Sequence, residues 1–431
     1  MGAVLAKFAA DHEAKVVADH LRGFPDADVF MHRLRPVILS SVLLLPGMGA
    51  IFYACSGTLA RWLTRQWLMA FGICFGGILC LYLLIDFSTN VSRFADAVQS
   101  WAVFRFYAAM LPSISNVLLP FGTLLSVLLC MSRISRSREL VASLQTGKGM
   151  MRVLAPVYVS ALLLCVFSIG LNFHWAPQSG GMKNALFDEL RGEQAKIGSN
   201  IVYFHSRGWR MWKVEELPRD FLEGKPLRKV EVTSLNEDGT LAMRLYADCA
   251  LWREKEGGWE FTGVKQTYHM KNEAPFFTNP PEPYVMATWT ETPANLWKQS
   301  AQVRHLGLPD LASMMHEGNE SAGEEWKQPE YMRYRAHWHF RFSQPTSCLV
   351  FAMLGIPLAM FVTRRQGSGS SAVAVVSAIV MMLFQSIFLA LGESGYISEI
   401  AAAWLPPLFF GGMGLFFLRR RLLGKQLWPL W

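Results

Sequence analysis

Charge is what this chain has least of. Only 17% of its 431 residues are Asp, Glu, Lys or Arg, while 52% are hydrophobic, and an ordinary soluble domain carries about 25% charged residues. The apolar residues are bunched rather than periodic, so they read as membrane spans. A bilayer core of about 30 Å needs roughly 20 mostly uncharged residues in helix, because backbone polar groups find no water there. Acidic groups and lysines are missing from the middle of those runs, which argues against an ion-coupled secondary transporter. A phosphate-binding loop is missing too: Thr146-Gly147-Lys148-Gly149 has a Gly-Lys pair without the earlier glycine at the required distance, and it follows no strand. Any energy from ATP must therefore come from a partner chain. The seven cysteines suggest no disulfide framework, since Cys74, Cys80, Cys130, Cys165 and Cys348 lie in apolar runs and Cys249 is alone in the polar middle. No Ser/His/Asp, Cys/His or metal-ligand spacing stands out, and His337 and His339 fall on opposite faces of a helix. The expectation is a non-catalytic chain with no metal or cofactor of its own.

What is present is a set of spans with basic ends. Six runs have spanning length: residues 67–87, 112–131, 153–173, 345–363, 371–391 and 402–418. Arg61 and Arg65 precede the first, and Arg133, Arg136, Arg138, Lys148 and Arg152 lie between the second and third. Arg364 and Arg365 separate the fourth and fifth, and Arg419, Arg420, Arg421 and Lys425 follow the sixth. The positive-inside rule makes these regions cytoplasmic, with both termini inside and residues 174–344 outside. This distribution, not nucleic-acid binding, accounts for the net charge of +8. Residues 1–56 form an N-terminal extension in which 37–54 is apolar but broken by Pro46, Gly47 and Gly49. Three readings of it stay open: a signal-like or interfacial segment, an extra span, or an extension translated from an upstream start codon. An extra span would be expected to leave Arg61 and Arg65 on the wrong side.

The outer segment changes character. Lys229-Val230-Glu231-Val232-Thr233 and Leu241-Ala242-Met243-Arg244-Leu245 alternate as strands do, and Asp238-Gly239 and Gly257-Gly258 read as hairpin turns. Residues 174–308 are therefore expected to be an all-β domain, an antiparallel sandwich or open barrel. Residues 309–344 return to helical pattern as a linker with an acidic loop at 317–325. Residues 57–173 hold spans one to three, and 345–431 hold spans four to six with a basic tail.

Between the second and third spans, residues 135–147 read as a short amphipathic helix. Ser137 is placed to cap it, Gly147 to end it, and Leu140, Val141 and Leu144 share one face. Such a helix either lies on lipid headgroups or docks in a groove on a partner. Glu139, beside Arg138, suits docking, where a carboxylate can pair with a partner's arginine. On the other side of the membrane, Arg333, His337 and Arg341 recur at helical spacing as one basic stripe, with Arg335 and His339 as a second. These are either a solvated face with snorkelling arginines or a head-group phosphate site, which Arg93 and Arg105 would complete as a ring. Asn116, Asn172, Ser126 and Gln385 within the spans are expected to hydrogen-bond between helices.

Several stretches resemble the LptF/LptG permease family. They are Leu118-Leu119-Pro120-Phe121-Gly122-Thr123-Leu124-Leu125, then Ser137-Arg138-Glu139-Leu140-Val141-Ala142 with Gly147. In the second triplet they are Phe340-Arg341-Phe342-Ser343-Gln344-Pro345, Leu354-Gly355-Ile356-Pro357-Leu358-Ala359, Arg364-Arg365-Gln366-Gly367 and Ala403-Trp404-Leu405-Pro406-Pro407. Their order and spacing over 57–420 carry the likeness. It implies an α-helical membrane protein with six transmembrane helices in two triplets and an inserted periplasmic jellyroll. It further implies the permease role in a Gram-negative inner-membrane ABC transporter that exports lipopolysaccharide. By the same likeness, Glu139, Arg138, Leu140, Val141 and Leu144 would couple to a cytoplasmic ATPase dimer. The other implied partners are a homologous second permease or second copy, and a single-span periplasmic lipid-transfer protein. Gln145-Thr146, where the family usually has small alanines, and residues 1–56, which have no counterpart, depart from the pattern. The competing expectations are another ABC permease or a receptor with an outer sensing domain, and a membrane enzyme on lipid-linked sugars using Asp86, Asp96, Glu393 or Glu399.

Overall fold

A computed structural model describes residues 2–23, 28–95, 100–137, 139, 145, 147, 149–183, 186–187, 196–205, 209–218, 225–236, 238–253, 258–269, 274–289, 291–293, 296, 302–321, 329–360 and 369–423. Before the sheet come α1 (Gly2–Gly23), α2 (Val29–Cys55), α3 (Thr58–Thr89), α4 (Val91–Ala95), α5 (Ser100–Arg136), α6 (Met150–Phe173) and α7 (Trp175–Gly181). The strands are β1 (Lys196–His205), β2 (Arg210–Pro218), β3 (Leu227–Leu235), β4 (Leu241–Arg253), β5 (Gly258–Thr262), β6 (Lys265–Tyr268), β7 (Phe276–Thr278) and β8 (Tyr284–Met286). After them come α8 (Leu308–Ser321), α9 (Pro329–Ser343), α10 (Ser347–Ala359), α11 (Gly369–Glu393) and α12 (Glu399–Leu422).

Seven helices among the described residues are long and apolar enough to cross a membrane, one more than the six expected; the addition is Val29–Cys55. Pro36 and Pro46 both lie inside α2 without ending it. Its direction follows from its neighbours: a Cβ on Gly170 would meet Val42, and one on Gly49 would meet Leu163. Thus α2 runs antiparallel to α6 and starts at the end where α6 hands over to the sheet. The Asp28 carboxylate caps α2 by accepting from the Phe30 and Met31 amides. The Asp28 amide donates to Ser313 Oγ of α8 at 2.8 Å. Because α2 starts at the sheet end, Arg61 and Arg65 at the start of α3 fall at the far end, which removes the objection to an extra span.

The rod formed by α9 and α10, joined through a 3-10 turn at Gln344–Thr346, lies at the centre. Every residue of α10 except Leu349 and Met353 is buried, and α10 packs on α5, α6, α11 and α12. Small residues permit the approach: a Cβ on Gly355 would lie 3.1 Å from Val127 Cγ1, and one on Gly414 would lie 2.9 Å from the Met353 carbonyl carbon. Close van der Waals packing of this kind, rather than hydrophobic burial, holds helices together in lipid.

The β region is an eight-stranded antiparallel sheet in the order β1-β2-β3-β4-β5-β8, with β6 pairing β4 and β7. The two alternating runs noted in the sequence face each other, Val232 opposite Leu245 and Thr233 opposite Arg244. Gly239 makes their turn at φ +74. Buried Trp212, Trp259, Phe261 and Trp289 pack ring to ring in its core. The segment expected to begin the β domain starts with a helix instead, α7, which packs on α5.

Candidate functional site

At the end away from the sheet, the docking helix expected at 135–147 falls mostly outside the described residues. Glu139 and Gln145 are helical and exposed, and Gly147 takes the left-handed conformation at φ +79, as a helix-ending glycine does. Ser137 Oγ donates back to the Ile134 carbonyl at 3.2 Å, tying the turn to the end of α5. Arg138, Leu140, Val141 and Leu144 lie outside the described residues. Arg133 and Arg136 on the last turn of α5 are exposed, so this end is basic around Glu139.

The basic stripe at the other end divides. Arg333 is exposed. Arg335 forms an ion pair with Glu399 at the start of α12, and His337 Nε2 lies 2.7 Å from Glu393 Oε1 at the end of α11. These two pairs lock α9 against the loop between the last two spans. Arg341 is buried, and its guanidinium donates to the Leu306 carbonyl at 3.1 Å, to the Arg304 carbonyl and to Asn172 Oδ1 at 3.3 Å. The stripe therefore contains three structural anchors and one solvent-facing cation. Beside Arg341, burial followed by the charges of Arg304 and Arg341 holds the His305 imidazole below its ordinary range, so it stays neutral.

Arg341 belongs to a polar node joining the two helix triplets. Ser168 Oγ donates to Asn116 Oδ1 at 2.7 Å, and Asn116 Nδ2 donates to Asn172 Oδ1 at 3.3 Å. Asn172 Nδ2 donates to the Arg341 carbonyl at 2.7 Å. That carbonyl needs an outside donor because Pro345, four residues on, has no N–H to give. Ser343 Oγ does the same for the Ala403 carbonyl, at 2.6 Å, which Pro407 leaves open. Gln385 bonds across helices to Ser347 at 3.2 Å, whereas Ser126 bonds within its own helix, to the Thr123 carbonyl. The sequence signal for these contacts was a proline four positions after the released carbonyl.

Arg93 and Arg105 sit in another neighbourhood and are both exposed. Arg93 lies 5.0 Å from the Phe187 ring centre, within a cluster of Phe94, Phe106 and Phe187. Exposed Trp101 and Phe104 flank Arg105, a pattern common where helices leave a bilayer. Asp86 pairs with Lys183 at 2.8 Å and accepts from Tyr107 at 3.1 Å. Of the four carboxylates that an enzyme reading would use, Asp86 and Glu399 are thus engaged in ion pairs and Glu393 is hydrogen-bonded with His337; Asp96 lies outside the described residues.

The family model described as lipopolysaccharide export system permease LptF/LptG matches residues 61–420. A search among curated proteins gives no match.

Proposed function

We propose, for a chain that belongs to the LptF/LptG family of lipopolysaccharide export permeases, that it is the membrane half of an ATP-driven lipid extractor. The observation that carries the proposal is the match across both helix triplets and the sheet between them, joined to an exposed Glu139 at the far end. The chain is a multi-pass membrane protein, and in this reading the far end is cytoplasmic and the sheet periplasmic. A separate ATPase dimer grips the helix around Glu139, with Arg138, Leu140, Val141 and Leu144 on its contact face. The gripping motion shifts α5, and through Gly355 and Gly414 the tight contacts pass that shift to α10 and α12 as a rigid unit.

The lipid enters from the outer leaflet of a Gram-negative inner membrane. A second permease or second copy closes a chamber with the exposed apolar faces of α3 and α11, such as Ile73, Leu84, Val376 and Leu383. Head-group phosphates meet Arg333, Arg93 and Arg105, while Arg341, Arg335 and His337 hold the frame that presents them. Acyl chains then pass to the sheet and onward to a periplasmic bridge protein. In this reading α2 is a seventh span, which puts α1 on the periplasmic side instead of the cytoplasmic N-terminus expected from six spans. Because Asp86, Glu393 and Glu399 are spent on structural contacts, this reading is preferred to an enzyme of lipid-linked sugars.

Purification from native membranes tests the coupling. An ATPase subunit is expected to follow the wild-type chain and to be lost with Glu139→Lys, while the variant remains folded and monodisperse. An equal yield of that subunit with the variant would remove Glu139 from the coupling surface.

A further inference from the structure

Four chemistry-bearing side chains from distant parts of the chain meet at the sheet end of the bundle. His20, near the end of α1, and His32, in the second turn of α2, lie with ring centres 4.8 Å apart. His32 Nε2 is 3.8 Å from Asp310 Oδ1 of α8. One ligand atom each from His20, His32 and Asp310 lie within 4.8 Å of one another. His174, between α6 and α7, places Nδ1 3.9 Å from the second Asp310 oxygen, Oδ2. His32 and His174 are 1% and 2% exposed, and the Asp310 side chain is 13% exposed. The Gly307 amide donates to Asp310 Oδ2 at 3.3 Å and fixes the carboxylate.

We propose that His20, His32 and Asp310 bind one divalent transition-metal ion of the zinc class, with His174 lying beside the other carboxylate oxygen of Asp310. Two imidazoles and a carboxylate are a donor set for such borderline ions, with water as the fourth ligand, whereas calcium and magnesium prefer all-oxygen sites. Tetrahedral bonds of about 2.0–2.1 Å place ligand atoms roughly 3.3 Å apart. The gaps must therefore close by about 0.5 to 1.5 Å, which side-chain rotation supplies. Arg35, one turn beyond His32, is paired with Glu13 at 2.5 Å, which offsets its positive charge. Two ligands, His20 and His32, lie before the family-matched region and one, Asp310, lies within it. A bound ion would cross-link the α1–α2 hairpin to the permease body, reinforcing the hydrogen bond from Asp28 to Ser313 and the packing of α2 on α6. This proposal does not depend on which lipid is carried or on any ATPase.

The test uses tag-free full-length protein in detergent, stripped with a chelator and titrated with Co²⁺. One Co²⁺ per chain is expected, with the visible d–d band of four-coordinate cobalt, displaced by Zn²⁺, and Zn²⁺ is expected to raise Tm. His20→Ala and Asp310→Asn are expected to weaken binding by at least roughly tenfold and to abolish the Zn²⁺-dependent rise in Tm. Asp310→Asn preserves the side-chain shape, so a monodisperse preparation of it separates lost ligation from lost folding. No visible band in the wild type, or an equal band in both variants, overturns the site.

Discussion

Pro345 and Pro407 each delete a helix hydrogen bond inside a packed bundle, and the carbonyls four residues earlier take replacements from Asn172 and Ser343. Where no water is present, an unreplaced carbonyl costs several kcal/mol. Asn172 and Ser343 are therefore explained by the prolines near them. The same logic separates two arginines that looked equivalent on the stripe. Arg341→Met leaves the Leu306 and Arg304 carbonyls and Asn172 Oδ1 without their donor, and a loss of about 2–4 kcal/mol is expected. Thermal unfolding in detergent would show this as a clear fall in Tm. Arg333→Glu, on exposed surface, is expected to leave Tm within a degree or two but to weaken lipid stimulation of ATP hydrolysis in the assembled complex. An equal loss of stability in both variants would return Arg341 to the solvated face. The spacing of the stripe was legible in the sequence. Its sorting was not, because the partners lie at 172, 304, 306, 393 and 399, far off in the chain.

Among the elements, long apolar runs were the easiest to read, and all six expected spans correspond to helices. The seventh was obscured by Arg33 and Arg35 at its start and by two internal prolines. Its place became clear only from packing on α6, where Gly170 admits Val42. The fourth span was expected to start at 345, yet α10 alone is 13 residues, too short to cross about 30 Å of hydrocarbon. It crosses by continuing α9, so the basic stripe and the fourth span form one rod. That rod is held to α12 at Gly414, whose replacement by valine would drive Cβ to 2.9 Å from the Met353 carbonyl carbon. Gly414→Val is expected to lower Tm sharply, by more than Gly412→Val, since nothing lies within 4 Å of a Cβ at Gly412. Equal Tm values for the two variants would refute the close packing of α10 on α12.

For the whole molecule, alternating helices from α2 to α12 gather the basic flanks Arg61, Arg65, Arg133, Arg136, Arg152 and Arg419–Arg421 at one end, opposite the sheet. That polarity was visible in the sequence because charge bias is local. The cluster of His20, His32, His174 and Asp310 was invisible, because no short motif joins residues so far apart. In the proposed function, the two triplets, the sheet and the loop bearing exposed Glu139 make up a lipid extractor driven from outside itself. Its most direct test is purification from native membranes with lipids and partners retained, followed by mass identification. The account predicts lipopolysaccharide and an ATPase subunit bound to this chain. Ordinary phospholipid with no ATPase would contradict it.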